Sequence, residues 1–269
     1  MMGFAVVVGE TIALRGGFEP RSAALGYLTG FFLTAASMVI NDYYDLEIDR
    51  INNPKRPLPA GIVSLTEAKF FALLCVVAGL IAAFSINLPS LAVAALATLS
   101  MLGYNAKLKP TGLLGNGIVS ANVAVPFVYG GFAVNSLAPS LLVFALLAFL
   151  SSLGREVTKG IVDVPGDSKR GIRTVAARYG ATNAARLAVC LYVAAVSLSV
   201  LPIALDTVSA LYLLFVLASD AGFLLSSASL VRDSSVSNSR RVKTRVLLWM
   251  TLGLLAFLAG AFGKPVFIL

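Results

Sequence analysis

The chain contains no histidine. That excludes Ser-His-Asp triads, His-ligated zinc and haem with a His ligand, so acid–base or metal chemistry must come from carboxylates, Lys, Arg, Tyr or Asn. Cysteine is nearly as scarce, with only Cys75 and Cys190. Both lie in apolar runs, where a thiol acts as a small core hydrophobe, and they give neither a metal spacing nor a disulfide framework. Charge is the third deficit. Only 13% of the 269 residues are charged, against about 25% in a soluble domain. Apolar residues stand in their place: 58% of the chain is hydrophobic and the mean hydropathy is +0.88. A disordered chain, a coiled coil and an ordinary water-soluble enzyme are excluded together. The chain reads as a multi-pass membrane protein, a single domain over residues 1–269.

A membrane-spanning helix needs about 20 apolar residues. Windows of that size fall at roughly 2–15, 22–44, 66–87, 89–105, 115–134, 137–158, 182–204, 207–230 and 244–263. The first is short, contains Glu10 and has no polar flank before it, which leaves open an upstream start or an abbreviated helix. The basic n-region of a cleavable signal peptide is missing, so none is expected.

Nine spans put alternate connections on opposite sides. Those at 88–89, 135–139 and 205–207 are short and carry no Lys or Arg, whereas 45–65, 106–114, 159–181 and 231–243 are long and charged. Of the 21 Lys and Arg residues, only Arg15, Arg21 and Lys264 fall on the side of the short connections. The asymmetry predicts that the charged loops are cytoplasmic, in a cell membrane. It also accounts for most of the net charge of +8. No basic–aromatic patch accompanies that charge, and no nucleic-acid partner is expected. Nothing in the sequence assigns an oligomeric state.

Two acidic motifs stand out against this background. Asn41, Asp45 and Asp49 follow an apolar run at i, i+4, i+8 spacing, which places them along one face of a helix, with Asp42 and Glu47 directed elsewhere. Asp163 and Asp167 repeat the i, i+4 spacing, and Glu156 lies two turns before Asp163 on a similar face. Pro165-Gly166 between the two aspartates predicts a helix end or a kink. By loop parity the two clusters share one side of the membrane. Acids at a membrane are costly and usually functional. Oxygen ligands at this spacing suit Mg²⁺, which takes one or two protein carboxylates and fills its shell with water and phosphate oxygens. Bases accompany both clusters: Arg50, Lys55 and Arg56 after the first, Lys159, Lys169, Arg170 and Arg173 around the second, Lys107 and Lys109 in the loop between. The combination fits a Mg²⁺-bound diphosphate. No Gly-rich P-loop is present to favour a soluble nucleotide.

Asn41-Asp42-x-x-Asp45-x-x-x-Asp49, followed by Arg56-Pro57-Leu58-Pro59-Ala60-Gly61, resembles the first signature of the UbiA superfamily of intramembrane prenyltransferases. Asp163-x-x-x-Asp167, followed by Lys169-x-Gly171-Ile172-x-Thr174, resembles its second. The run Tyr104-Asn105-Ala106-Lys107-Leu108-Lys109-Pro110, with Gly115-Asn116, resembles the loop between them. The resemblance implies an all-α membrane protein of nine helices around a central cavity with a cytoplasmic cap of loops. It implies Mg²⁺ and a prenyl diphosphate held by Asn41, Asp45, Asp49, Asp163 and Asp167, these aspartates being the catalytic set. Glu156 matches a further acidic position, and Arg56, Lys107 and Lys159 are the chosen diphosphate contacts. Members begin with an Arg-Pro-x-Asn element before the first helix, which this chain lacks.

Within the family, Arg155-Glu156-x-x-Lys159 leading into Asp163-x-x-Gly166-Asp167 is most similar to the archaeal ether-lipid branch. That implies geranylgeranyl transfer to the free hydroxyl of geranylgeranylglyceryl phosphate. Aromatic acceptors remain open: 4-hydroxybenzoate, a naphthoate, homogentisate or a chlorophyllide-type ring. A CDP-alcohol phosphotransferase would need an Asp-Gly-x-x-Ala-Arg element that is missing. A transporter is the non-enzyme alternative, with Glu10 and Asp220 as intramembrane acids, but transport does not predict release of diphosphate.

Overall fold

The computed structural model describes residues 2–52, 54–167 and 174–263. The described residues are helical almost throughout: α1 (Met2–Ala13), α2 (Pro20–Tyr44), α3 (Leu46–Asn52), α4 (Leu65–Phe84), α5 (Leu88–Gly103), α6 (Leu113–Ala133), α7 (Pro139–Asp167), α8 (Val175–Tyr179), α9 (Ala181–Leu198), α10 (Leu201–Ala204), α11 (Leu211–Arg232) and α12 (Val236–Gly260). Eight stretches are long and apolar enough to cross a membrane, and α1 is a shorter apolar ninth. Each of the nine sequence windows finds its helix. Two ends differ: α7 runs on from 158 to Asp167, so the second acidic motif is helical, and the last helix begins at Val236, so Arg240, Arg241, Lys243 and Arg245 are carried on α12.

Large apolar side chains on the outside of this bundle mark its lipid face. Along α4, Phe70, Phe71, Leu73, Leu74, Val77, Ile81 and Phe84 are all exposed. In water such a surface would be an association site; in a bilayer it is the solvated surface, because lipid satisfies carbon and the helix satisfies its own backbone. Cys75 is buried as expected of a small core hydrophobe, but Cys190 is exposed on the outer face of α9 and contributes nothing to the core.

Polar residues at the helix ends fix the turns. Glu19 accepts from the Arg21 and Ser22 backbone N–H groups at the start of α2. Ser64 and Glu67 form a capping box on α4, at 3.2 and 2.8 Å. Asn87 does more than turn the chain: it accepts from the Ser90 N–H at 2.8 Å and donates to the Phe132 carbonyl at 2.8 Å, tying the start of α5 to the end of α6.

The α1–α6 crossing is set by glycine. A Cβ on Gly130 would lie 2.5 Å from the Glu10 backbone nitrogen, and one on Gly9 would lie 2.7 Å from the Phe127 carbonyl oxygen. Small residues let the two backbones meet. Glu10 is buried at this level, against Gly26 of α2. Beyond α6 an aromatic core of Phe127, Phe144, Tyr212 and Phe257 joins α6, α7, α11 and α12, with the Phe144 and Phe257 rings 4.3 Å apart. Interior space remains on either side of α1 and α6.

Candidate active site

The acids of the first motif sit where α2 runs out of its apolar stretch. Asp45 ends α2, its N–H bonded to the Asn41 carbonyl at 2.9 Å, and the Asp49 N–H continues the pattern onto the Asp45 carbonyl at 2.9 Å. The helix is interrupted only at Asp45, so the predicted common face largely survives. Asn41 Nδ2 donates to Asp45 Oδ2 at 3.1 Å. Lys109 Nζ donates to the same carboxylate at 2.6 and 2.5 Å. Asp49 is buried and takes Arg56 Nη1 at 2.7 Å, while that same nitrogen reaches Asp42 Oδ1 at 3.0 Å.

Asp42 therefore belongs to the cluster, although the sequence reading directed it elsewhere. The signal was present: Asp42 and Asp49 are seven residues apart, an offset of only about 20° around a helix. Lysine in the intervening loop is also redistributed. Lys107 is exposed, and the lysine that reaches the acids is Lys109. After Gly103 the chain widens into a π turn, Tyr104–Leu108, and then tightens into a 3₁₀ turn, Lys109–Thr111. An inserted π turn shifts every following side chain around the axis.

The second motif lies on the last turns of α7. Glu156 is buried and accepts from Arg155 Nη1 at 3.0 Å and from Lys159 Nζ at 3.4 Å. Asp163 is half-buried one turn beyond Lys159. α7 continues through Pro165 and Gly166 and ends at Asp167, so the predicted helix end holds. The Asp167 side chain and the whole of Lys169, Arg170, Gly171, Ile172 and Arg173 lie outside the described residues. The Lys264 assignment lies outside them as well.

One cavity of about 490 Å³ is lined at its polar end by Asn41 and Asp42 of the first motif, by Arg56 and Tyr104, and by Glu156 and Lys159 upstream of the second. Loop parity places the clusters on one side of the membrane; the fold brings Asn41, Asp42, Glu156 and Lys159 to one cavity. The remaining wall is mostly apolar, from α1, α2, α5 and α6, and reaches Thr29 and Tyr129. Along α2 the distance from Asn41 to Thr29 is twelve residue steps, about 18 Å. At the far end the Tyr129 hydroxyl donates to Thr29 Oγ1 at 3.1 Å. Tyr104 and Tyr129 are thus cavity residues. Tyr43 instead lies under the Lys69 ammonium, 4.8 Å from the ring centre, and Tyr44 is exposed.

The donor chemistry of this mouth fits a hard divalent cation: carboxylate and amide oxygens, with no sulfur or imidazole among them. Among the described residues, no three Asp or Glu side chains converge into a ready cage. Asp42, Asp45, Asp49 and Glu156 are each matched to a base instead, which keeps the three carboxylates of the first motif from repelling one another.

Comparison with known proteins agrees with this geometry. The description "UbiA prenyltransferase family" matches residues 2–255. A digeranylgeranylglyceryl phosphate synthase of Methanopyrus kandleri is 39% identical over 260 residues, 96% of this chain and 94% of the relative. A solved structure described as digeranylgeranylglyceryl phosphate synthase in membranes superposes with a TM-score of 0.80 at 32% identity, over 97% of this chain and 92% of that one. A UbiA homologue from Archaeoglobus fulgidus, bound to GPP and Mg²⁺, shares the fold with a TM-score of 0.66 at 18% identity, over 95% of this chain and 96% of that one. With Asn41 and Asp42 of the first acidic motif and Glu156 upstream of the second on the wall of one cavity, and the family pattern running through nearly all of its length, the chain belongs to the UbiA prenyltransferase family.

Proposed function

We propose that this prenyltransferase moves a geranylgeranyl group from geranylgeranyl diphosphate to the free hydroxyl of geranylgeranylglyceryl phosphate, giving an archaeal ether-lipid precursor and diphosphate. The observation that carries the reading is that Asn41, Asp42, Arg56, Glu156 and Lys159 line the polar end of a long, largely apolar cavity, with Asp45 and Lys109 bonded on behind Asn41 and Asp49 behind Arg56. The full-length similarity to the archaeal synthases supports the choice of acceptor.

In this reading Asn41, Asp45, Asp49, Asp163 and Asp167 hold Mg²⁺, which when bound neutralises the oxygens of the departing diphosphate. Arg56, Lys109 and Lys159 bind the remaining phosphate oxygens, with Lys107 at the exposed rim. The allylic C1–O bond breaks and its electron pair leaves on the diphosphate. The acceptor oxygen forms the new bond to C1, and its hydroxyl proton passes to an oxygen of the released diphosphate. Fixed cations at the leaving group stabilise the charge that develops as the bond breaks. The apolar walls from α1, α2, α5 and α6 keep water from the allylic cation. They also hold the tail, at about 0.8 kcal/mol for each buried CH₂. The asymmetry of Lys and Arg puts the mouth at the cytoplasmic face.

The test is a transfer assay on the purified chain with Mg²⁺ and labelled geranylgeranyl diphosphate, offered geranylgeranylglyceryl phosphate or 4-hydroxybenzoate, with an EDTA control. Labelled digeranylgeranylglyceryl phosphate that disappears with EDTA is the expected result. A labelled aromatic product instead would overturn the acceptor assignment and leave the prenyltransferase standing.

A further inference from the structure

A second cavity, of about 270 Å³, lies on the other side of α1 and α6. Its outer walls come from α7, α9, α11 and α12, and it shares Met2, Val119, Val123 and Glu156 with the first cavity. Glu156 is the polar residue common to both. Its two partners divide between them: Lys159 lines the first cavity and Arg155 the second. The cavities therefore meet at the end that carries the acidic motifs.

From Arg155 the second cavity runs towards Tyr212 and Phe257. Phe223 and Tyr212 mark its extent along α11, eleven residue steps or about 16 Å. That is close to half of the roughly 30 Å hydrocarbon core of a bilayer, the depth of one leaflet. The wall is largely apolar, and Ser151, Ser199 and Ser219 are bonded to the protein, while Arg155 Nε at the mouth is buried with no hydrogen-bond partner among the described residues. Ser199 Oγ lies 2.7 Å from the Val196 carbonyl and 2.7 Å from Asp220. Ser151 donates to the Leu147 carbonyl at 2.8 Å and Ser219 to the Trp249 carbonyl at 2.9 Å. What remains is a largely apolar slot, one leaflet deep, with Arg155 paired to Glu156 at its mouth and one acid in its wall, Asp220, held by Ser199.

We propose that this second cavity binds the hydrocarbon tail of the acceptor, with Arg155 receiving the phosphate of its headgroup. The inference rests on the acceptor reading above, in which both substrates carry an isoprenoid tail. The diphosphate-binding groups border the first cavity, which assigns that cavity to the donor. The acceptor tail then lies in a slot of its own, and the two head groups meet on either side of Glu156. α1 and α6 separate the tails, so each substrate binds without displacing the other.

Two photoreactive substrates, each with a diazirine at the far end of the tail, test the assignment on the full-length wild-type protein. The acceptor analogue should label α11 and α12 around Tyr212 and Phe257; the donor analogue should label α2 and α6 around Thr29 and Tyr129. Kinetics provide a second readout. A Cβ on Gly253 would meet only Ser219 Oγ, at 3.5 Å, so a larger side chain there enters the slot. Gly253→Leu should raise the KM for the lipid acceptor about tenfold, the equivalent of roughly two displaced CH₂ groups. The donor KM should stay unchanged, and an acceptor with a five-carbon tail should be used as by wild type. Ala148→Leu, in the same wall, serves if Gly253→Leu fails to fold. Acceptor label in the first cavity, or equal KM shifts for both substrates, overturns the slot assignment in an enzyme that still transfers. A folded wild-type protein that labels with the donor analogue but transfers nothing to the lipid acceptor overturns the acceptor reading, and the slot assignment with it.

Discussion

Replacing Lys109 with methionine tests the most specific choice that the fold makes at this site. Methionine keeps the length and much of the packing of the lysine stem and removes only the charge. In the structure Lys109 Nζ contacts both oxygens of Asp45, and its side chain is 24% exposed against 17% for Asp45. The pair is neither a surface ion pair, worth about 0–1 kcal/mol, nor a fully buried one, whose disruption costs about 3–5 kcal/mol. A stability loss of about 2 kcal/mol is expected, softened because Asn41 Nδ2 still donates to Asp45. The catalytic effect should be larger. Losing one fixed donor to a developing oxyanion costs about 10²–10³ in kcat, or roughly 3–4 kcal/mol of barrier. Lys107→Met, two residues away and exposed, should remain within about threefold of wild type, since exposed charges couple weakly through water. Both variants would be measured by geranylgeranyl transfer at saturating Mg²⁺, with melting temperature and gel filtration to establish folding. Equal losses in the two variants, or a larger loss in Lys107→Met, would refute the placement of Lys109 in the diphosphate cradle.

Asp45→Ala and Asp163→Ala, each in folded and membrane-inserted protein, should each lower turnover by at least about 10²; near-normal turnover in both would sink the metal assignment. Asp42→Asn should reduce kcat/KM about tenfold through its share of Arg56, with little change in melting temperature because the Asp49–Arg56 contact persists; no change in kcat/KM would return Asp42 to a surface role. Gly130→Val places a side chain against the backbone of α1, and overpacking of this kind costs about 1–3 kcal/mol or more. Loss of the monodisperse peak on gel filtration is expected, and a normally stable variant would show that α1 and α6 are free to separate.

Membrane architecture was legible in the sequence because the bilayer imposes a length and a composition on every span. Nine apolar windows and the one-sided distribution of Lys and Arg predicted nine spans, and among the described residues eight helices are long and apolar enough to cross, with α1 a shorter ninth. The i, i+4 spacing marked the acids because a helix repeats every 3.6 residues. The family resemblance rested on those same residues and is matched along the chain. Where helical periodicity fails, spacing gives no guide. A π turn follows Gly103, and it is Lys109 that meets Asp45. Cys190 shows the same limit: an apolar neighbourhood in sequence does not distinguish lipid from core, since both are hydrocarbon. The pairing of Asp45 with Lys109, the bond from Tyr129 to Thr29 and the division of the interior into two cavities arise from segments far apart in the chain. Sequence alone thus determined what each segment must do against lipid and which residues carry charge to one face. Tertiary structure decided which charges meet, because Coulombic partners and cavity walls are set by the packing of helices against one another and not by the period of any single helix.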